Sequence, residues 1–221
     1  MDDLWNAVDA YVGDLLFPND PPLTAALEAS EAAGLPTIAV SPTQGAFLHI
    51  LARSKGARTI LELGTLGGYS TIWMARALPP GGHLTTVEAD PRHAEVARAN
   101  IARAGVADLV TLRLGKALDV LPALAAEGRG PFDLIFIDAD KENTAAYFDW
   151  AIRLARAGTL IIVDNVVREG EIIDATSDDP RVQGIRQFLS ALSREPRVTV
   201  ATVLQTVGSK GYDGFAIAIV R

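Results

Sequence analysis

Cysteine is absent from the 221 residues, which excludes a disulfide framework and any thiolate metal site. Histidine is scarce: His49, His83 and His93 have no acid or second histidine at ligand spacing, and none is given a functional role. No apolar run approaches the roughly 20 residues needed to cross a bilayer. The start Met1-Asp2-Asp3 is acidic where a secretory signal carries a basic region. Excess positive charge is also missing. A net charge of −7 opposes binding to nucleic acid or anionic lipid, because both reward clustered Lys and Arg. These absences lead to the expectation of a cytoplasmic protein with a small-molecule partner, no nucleic acid and no membrane.

What is present supports a packed core, since 49% of residues are hydrophobic and only 21% charged. Helical spacing covers Leu4 to Leu16 up to Pro18, then Leu23 to Ala33 before Gly34-Leu35-Pro36, then Thr43 to Ser54 behind Ser41-Pro42. After this helical preface, residues 1–55, short β-branched runs alternate with helices. Strands are predicted over Arg58–Leu63, Leu84–Glu88, Leu109–Leu114, Asp133–Ile137 and Thr159–Val163. Leu134-Ile135-Phe136-Ile137 is apolar on both faces, as parallel strands covered by helices on each side must be. Asp90-Pro91 is an N-cap with a first-turn proline, and Gly105 is a stop for the helix it begins. A helix over Val182–Ser193 precedes strands Val198–Thr206 and Gly214–Val220, an antiparallel hairpin at the sheet edge whose loop is Val207–Asp213. No repeat, linker or low-complexity tract interrupts the chain, so one domain spanning residues 1–221 is expected.

Leu61-Glu62-Leu63-Gly64-Thr65-Leu66-Gly67-Gly68-Tyr69-Ser70 ends a strand and enters a helix. In a doubly wound sheet a nucleotide-like ligand lies there, because glycine lets it approach the backbone. Val87-Glu88 ends the next strand with a carboxylate suited to two ribose hydroxyls. The dinucleotide fingerprint G-x-G-x-x-G is not met, since Thr65-Leu66 follows Gly64. Glu62 places negative charge beside the turn, which suits a ligand amine better than a pyrophosphate. The competing readings are a merely tight turn and an ordinary strand-end acid.

Two later strands end alike, Ile137-Asp138-Ala139-Asp140-Lys141 and Val163-Asp164-Asn165. Asp138, Asp164 and Asn165 offer hard oxygen ligands from neighbouring strands, suited to Mg²⁺ or a similar dication. The alternative is that Asp138 and Asp164 cap helices or pair with Lys141 and Arg168. A lysine beside a dication can serve as a general base for a phenol, which makes Lys141 the candidate base.

Together with Ser41-Pro42-Thr43-Gln44-Gly45, these motifs resemble the cation-dependent O-methyltransferases, the catechol and caffeoyl-CoA family and its bacterial branch. The resemblance covers nearly the whole chain. It implies a class I methyltransferase fold: a Rossmann-like, doubly wound, seven-stranded α/β sheet with an antiparallel C-terminal hairpin and a helical N-terminal extension. By the same resemblance Glu62, Gly64, Ser70 and Glu88 contact S-adenosylmethionine, and Val40 and the Gly115-Lys116-Ala117 turn lie near its methionine and adenine ends. Asp138 touches the donor amine as well as the metal. Asp138, Asp164 and Asn165 hold Mg²⁺, or Ca²⁺ or Mn²⁺ in its place, and Lys141 is the base. The implied reaction methylates one hydroxyl of a vicinal aromatic diol, in a homodimer. Thr144 stands where that branch usually has tyrosine, which leaves acceptor choice open. Arg168, Glu169 and Glu171 follow the metal strand and are expected to form a lid over the acceptor.

Overall fold

The computed structural model describes residues 2–17 and 20–221; Pro18, the expected stop of the first helix, lies outside them. Three helices open the chain, α1 (Asp2–Leu16), α2 (Pro21–Ala32) and α3 (Pro42–Lys55). The third starts on a full capping box. Gln44 N donates to Ser41 Oγ at 3.2 Å, and Ser41 N donates back to Gln44 Oε1 at 2.9 Å, a pairing that contributes about 1 kcal/mol.

Strands and helices then alternate as β1 (Thr59–Leu63), α4 (Tyr69–Ala75), β2 (His83–Glu88), α5 (Pro91–Arg103), β3 (Val110–Leu114), α6 (Ala117–Ala126), β4 (Phe132–Ile137), α7 (Thr144–Arg153), β5 (Ala155–Asp164), α8 (Pro180–Arg194), β6 (Val198–Gly208) and β7 (Gly211–Val220). The sheet order is β3-β2-β1-β4-β5-β7-β6. Strands β1 to β5 run parallel, and β7 is antiparallel to both its neighbours. Strand side chains alternate between faces. Leu61, Leu63, Ile135, Ile137 and Val163 therefore pack under α6, α7 and α8, while Ile60, Leu134, Phe136 and Ile162 pack under α3, α4 and α5. With both faces covered, the central strands read as unbroken apolar runs.

The expected elements are all found, with shifted ends. Strand β5 starts four residues earlier than predicted and passes through Gly158 at φ +86°. The hairpin loop shrinks to Ser209-Lys210: the strands stay paired to Gly208 and Gly211, and Gly211 takes the turn at φ +82°. That turn is tied to the N-terminal helices: Asp9 Oδ2 accepts from Ser209 N at 2.7 Å, and Lys210 Nζ donates to Thr37 O at 3.1 Å. Among the described residues no helix is long and apolar enough to cross a membrane.

Candidate active site

A cavity of about 1040 Å³ opens at the carboxyl ends of β1, β2, β4 and β5, where a doubly wound sheet binds its ligands. Of the residues singled out from sequence, Val40, Gly64, Ser70, Glu88, Ala117, Asp138, Lys141 and Asn165 all line it. Glu62 and Asp164 do not. They sit behind its wall, 0% and 3% exposed, and each acts on the cavity through a neighbour. A smaller cavity of about 520 Å³, lined by Asp9, Phe17, Leu27 and Trp73, lies among the N-terminal helices.

The glycine turn is built from two directions. Gly64 has φ +92°, and a Cβ there would overlap the carbonyl oxygen of Asp138 and lie 2.8 Å from its carbonyl carbon. Glycine is thus required by the main chain leaving β4 as much as by any ligand. Gly68 starts α4 at φ +83°. Glu88 holds the turn, its Oε2 accepting from Thr65 N at 3.1 Å and Leu66 N at 2.8 Å, while Oε1 accepts from Asp90 N at 2.9 Å. Three of about four acceptor directions of the carboxylate are thereby used by main chain, and a ligand diol must share or displace one. The α5 N-cap, Asp90, turns His93 back so that its Nδ1 lies 3.7 Å from Glu88 Oε1, at the cavity wall. The sequence had left His93 without a role; the signal was the Asp90-Pro91 cap directly after Glu88.

Glu62 accepts from Ser70 Oγ at 2.6 Å and Thr71 Oγ1 at 2.5 Å. Burial pushes its carboxyl up from the ordinary 4.5 to about 7, with the hydroxyls of Ser70, Thr71 and Thr86 pulling it partway back. It therefore fixes Ser70, and with it the start of α4, against the cavity.

At the ends of β4 and β5, Lys141 Nζ donates to Asp138 Oδ1 at 2.7 Å. This is the pairing named above as an alternative to a metal site. Asp164 pairs differently from that alternative: its Oδ1 accepts from Asn165 N at 2.7 Å and Asn165 Nδ2 at 3.3 Å. Arg168 faces Asp213 instead. Asn165 adopts φ +57°, a left-handed conformation that asparagine tolerates better than most residues. Burial, then the neighbouring Asp138 carboxylate, raise the Asp164 carboxyl, and Lys141 opposes them. Two carboxylates this close favour a cation between or beside them. Among the described residues no group of three His, Asp or Glu is gathered for a metal; the donor set is two carboxylates and a carboxamide.

The turn carrying Lys141 is braced twice. Asp140 accepts from Tyr147 and Asn143 side chains, and burial followed by that hydrogen bond raises the Tyr147 phenol. Gly184 of α8 packs on the other side, where a Cβ would overlap Lys141 O and come within 2.6 Å of Glu142 Cα. Thr144 is 1% exposed and donates to Lys141 O at 2.9 Å, so it helps hold this turn. Beyond Asn165 the expected lid residue Arg168 lies at the cavity wall, its main chain pinned because Asp213 Oδ1 accepts from Val167 N at 2.8 Å and Arg168 N at 3.0 Å.

Comparison with known proteins agrees with this geometry. Residues 20–213 match the sequence profile of the O-methyltransferase family. A catechol O-methyltransferase of Niastella koreensis is 55% identical, aligning 99% of this chain with 98% of its own. One of Mycobacterium tuberculosis is 56% identical over 97% and 95%. The crystal structure of an O-methyltransferase from Bacillus cereus in complex with SAH superposes with a TM-score of 0.98 at 59% identity, covering all of both chains. With a glycine turn, a strand-end acid and this level of likeness along its whole length, the chain belongs to the S-adenosylmethionine-dependent O-methyltransferase family.

Proposed function

We propose that this O-methyltransferase transfers the methyl group to one hydroxyl of a vicinal aromatic diol, a catechol or caffeoyl-type molecule, and does so with a divalent metal, Mg²⁺ or in its place Ca²⁺ or Mn²⁺. The observation that carries the reading is the convergence of Asp138, Lys141 and Asn165 on one cavity wall, with the buried Asp164 directly behind. Asp138, Asp164 and Asn165 would hold the metal. Their all-oxygen chemistry fits a hard dication; burial, then the half-buried Asp138 carboxylate, raise the Asp164 carboxyl, a repulsion that a cation would relieve. When bound, the dication supplies Lewis acidity that makes a diol hydroxyl more acidic. The methyl donor supplies an electrophilic sulfonium methyl.

The rest falls to the chain. Val40, Gly64, Ser70, Glu88 and Ala117 bind the donor, with Glu88 on the ribose hydroxyls and Ser70, fixed by Glu62, toward the methionine end; Asp138 also meets its amine. Lys141 is the base for the proton of the hydroxyl to be methylated. Asp140, Tyr147 and Gly184 keep the Lys141 amine in position. Most of the acceleration then comes from orientation. The same reading makes the protein a homodimer: α1 exposes Leu4, Val8, Tyr11 and Leu15 on one stripe, each more than half exposed, next to the edge strand β6.

The test is methyl transfer to catechol and to phenol, with Mg²⁺ and with EDTA. Catechol methylated only with Mg²⁺, and phenol not at all, is the expected result. Undiminished transfer after EDTA overturns the metal, and equal rates on phenol overturn the diol.

A further inference from the structure

Arg168 stands three residues after Asn165 and lines the same cavity. Its φ is +51°, and that of Glu169 is +56°, a conformation that side chains other than Gly, Asn and Asp seldom adopt and that persists only where the surroundings impose it. The imposing group is Asp213, whose Oδ1 accepts from the main-chain amides of Val167 and Arg168 at this bend. The guanidinium itself is poorly used. Its Nη1 lies 3.7 Å from Asp213 Oδ2, too far for a hydrogen bond, and its Nε is buried without an acceptor among the described residues. Asp179, a further carboxylate that feels its charge, is engaged by Arg181 at 2.6 Å. The ammonium next along the wall, Lys141, is already paired with Asp138. The Asp213 clamp thus holds a planar, permanently charged donor at the cavity wall, and the guanidinium keeps donors that its internal partners leave unused.

We infer that Arg168 is a specificity residue that selects aromatic diols bearing a carboxylate, a dihydroxybenzoate-type or dihydroxycinnamate-type acid. A guanidinium recognises a carboxylate through two parallel N–H donors. The inference rests on the diol reading above. A second source of carboxylate exists in the methionine end of the methyl donor. Gly64, Ser70 and Glu88 of the donor set come from β1, α4 and β2, whereas Arg168 follows β5; because Asp138 is assigned to the donor amine as well as to the metal, the KM for S-adenosylmethionine is needed to separate the two carboxylates.

The experiment compares 3,4-dihydroxybenzoate, its neutral carboxamide and unsubstituted catechol with the unmutated protein, R168M and R168K. In the unmutated protein the acid should have the lower KM of the two substituted diols. The ratio of kcat/KM for acid over amide should fall roughly 10- to 100-fold in R168M, and by less in R168K, which keeps the charge without the fork. Taking this ratio across variants cancels the different intrinsic acidities of the two phenols. If R168M does not fold, R168K and the unmutated comparison still decide. An acid KM equal to or above that of the amide, or an unchanged ratio, overturns the assignment. So does a matching rise in the KM for S-adenosylmethionine with no change in the ratio. Methylation of catechol and amide without preference for acid refutes Arg168 alone, while no methylation of any diol refutes the diol reading with it.

Discussion

Replacing Glu62 by glutamine tests how burial controls the cavity floor. The carboxyl titrates near 7 in the folded protein against the ordinary 4.5. Each pH unit of such a displacement corresponds to about 1.4 kcal/mol, and Glu62 is fully buried, so no solvent discount applies. The difference amounts to about 3 kcal/mol. Its sign follows from proton binding. Below pH 4.5 both folded and unfolded chains carry the proton, and the contribution to stability is fully present. Between 4.5 and about 7 the unfolded chain releases the proton first, and stability falls as pH rises. Above about 7 the loss is complete. E62Q is neutral throughout and keeps one oxygen for Ser70 or Thr71. Urea unfolding of both proteins at pH 5, 6, 7 and 8 should show the variant gaining on the parent by up to about 3 kcal/mol. Parallel stability profiles across that range would show that Glu62 is not held protonated by burial, and would refute the reasoning.

D164N removes one of two facing carboxylates. Methyl transfer with Mg²⁺ should drop by a factor on the order of 10² to 10³, while the metal-free protein melts no lower at pH 8, since an uncompensated buried charge has gone. G64A forces a Cβ into the Asp138 carbonyl at a positive φ; a loss of about 3 kcal/mol or more is expected, read as a lower midpoint in urea. G184A presses α8 onto the Lys141 turn. It should reduce kcat more than it changes SAH affinity, as measured by steady-state kinetics and calorimetry.

The strand and helix order was legible because it rests on local pattern. Unbroken apolar runs such as Leu134 to Ile137 announce doubly covered parallel strands, and Ser41 and Asp90 announce helix starts through their own cap hydrogen bonds. The placement of Gly64, Glu88, Asp138 and Asn165 was legible for a related reason: residues at the carboxyl ends of neighbouring parallel strands must share one edge. What the sequence could not decide is which of these side chains faces ligand and which faces protein. Glu62 lies inside β1 with its side chain toward α4, so it is sealed behind Ser70. Asp164 is covered while Asn165 is turned out by a left-handed backbone angle. The brace of Gly184 on the Lys141 turn, the clamp of Asp213 on Arg168 and the pairing of Asp9 with the hairpin all join residues far apart in the chain. Local periodicity determines which segments become strands and helices, but the direction and burial of a charged group depend on packing between segments, and only the assembled tertiary structure sets that.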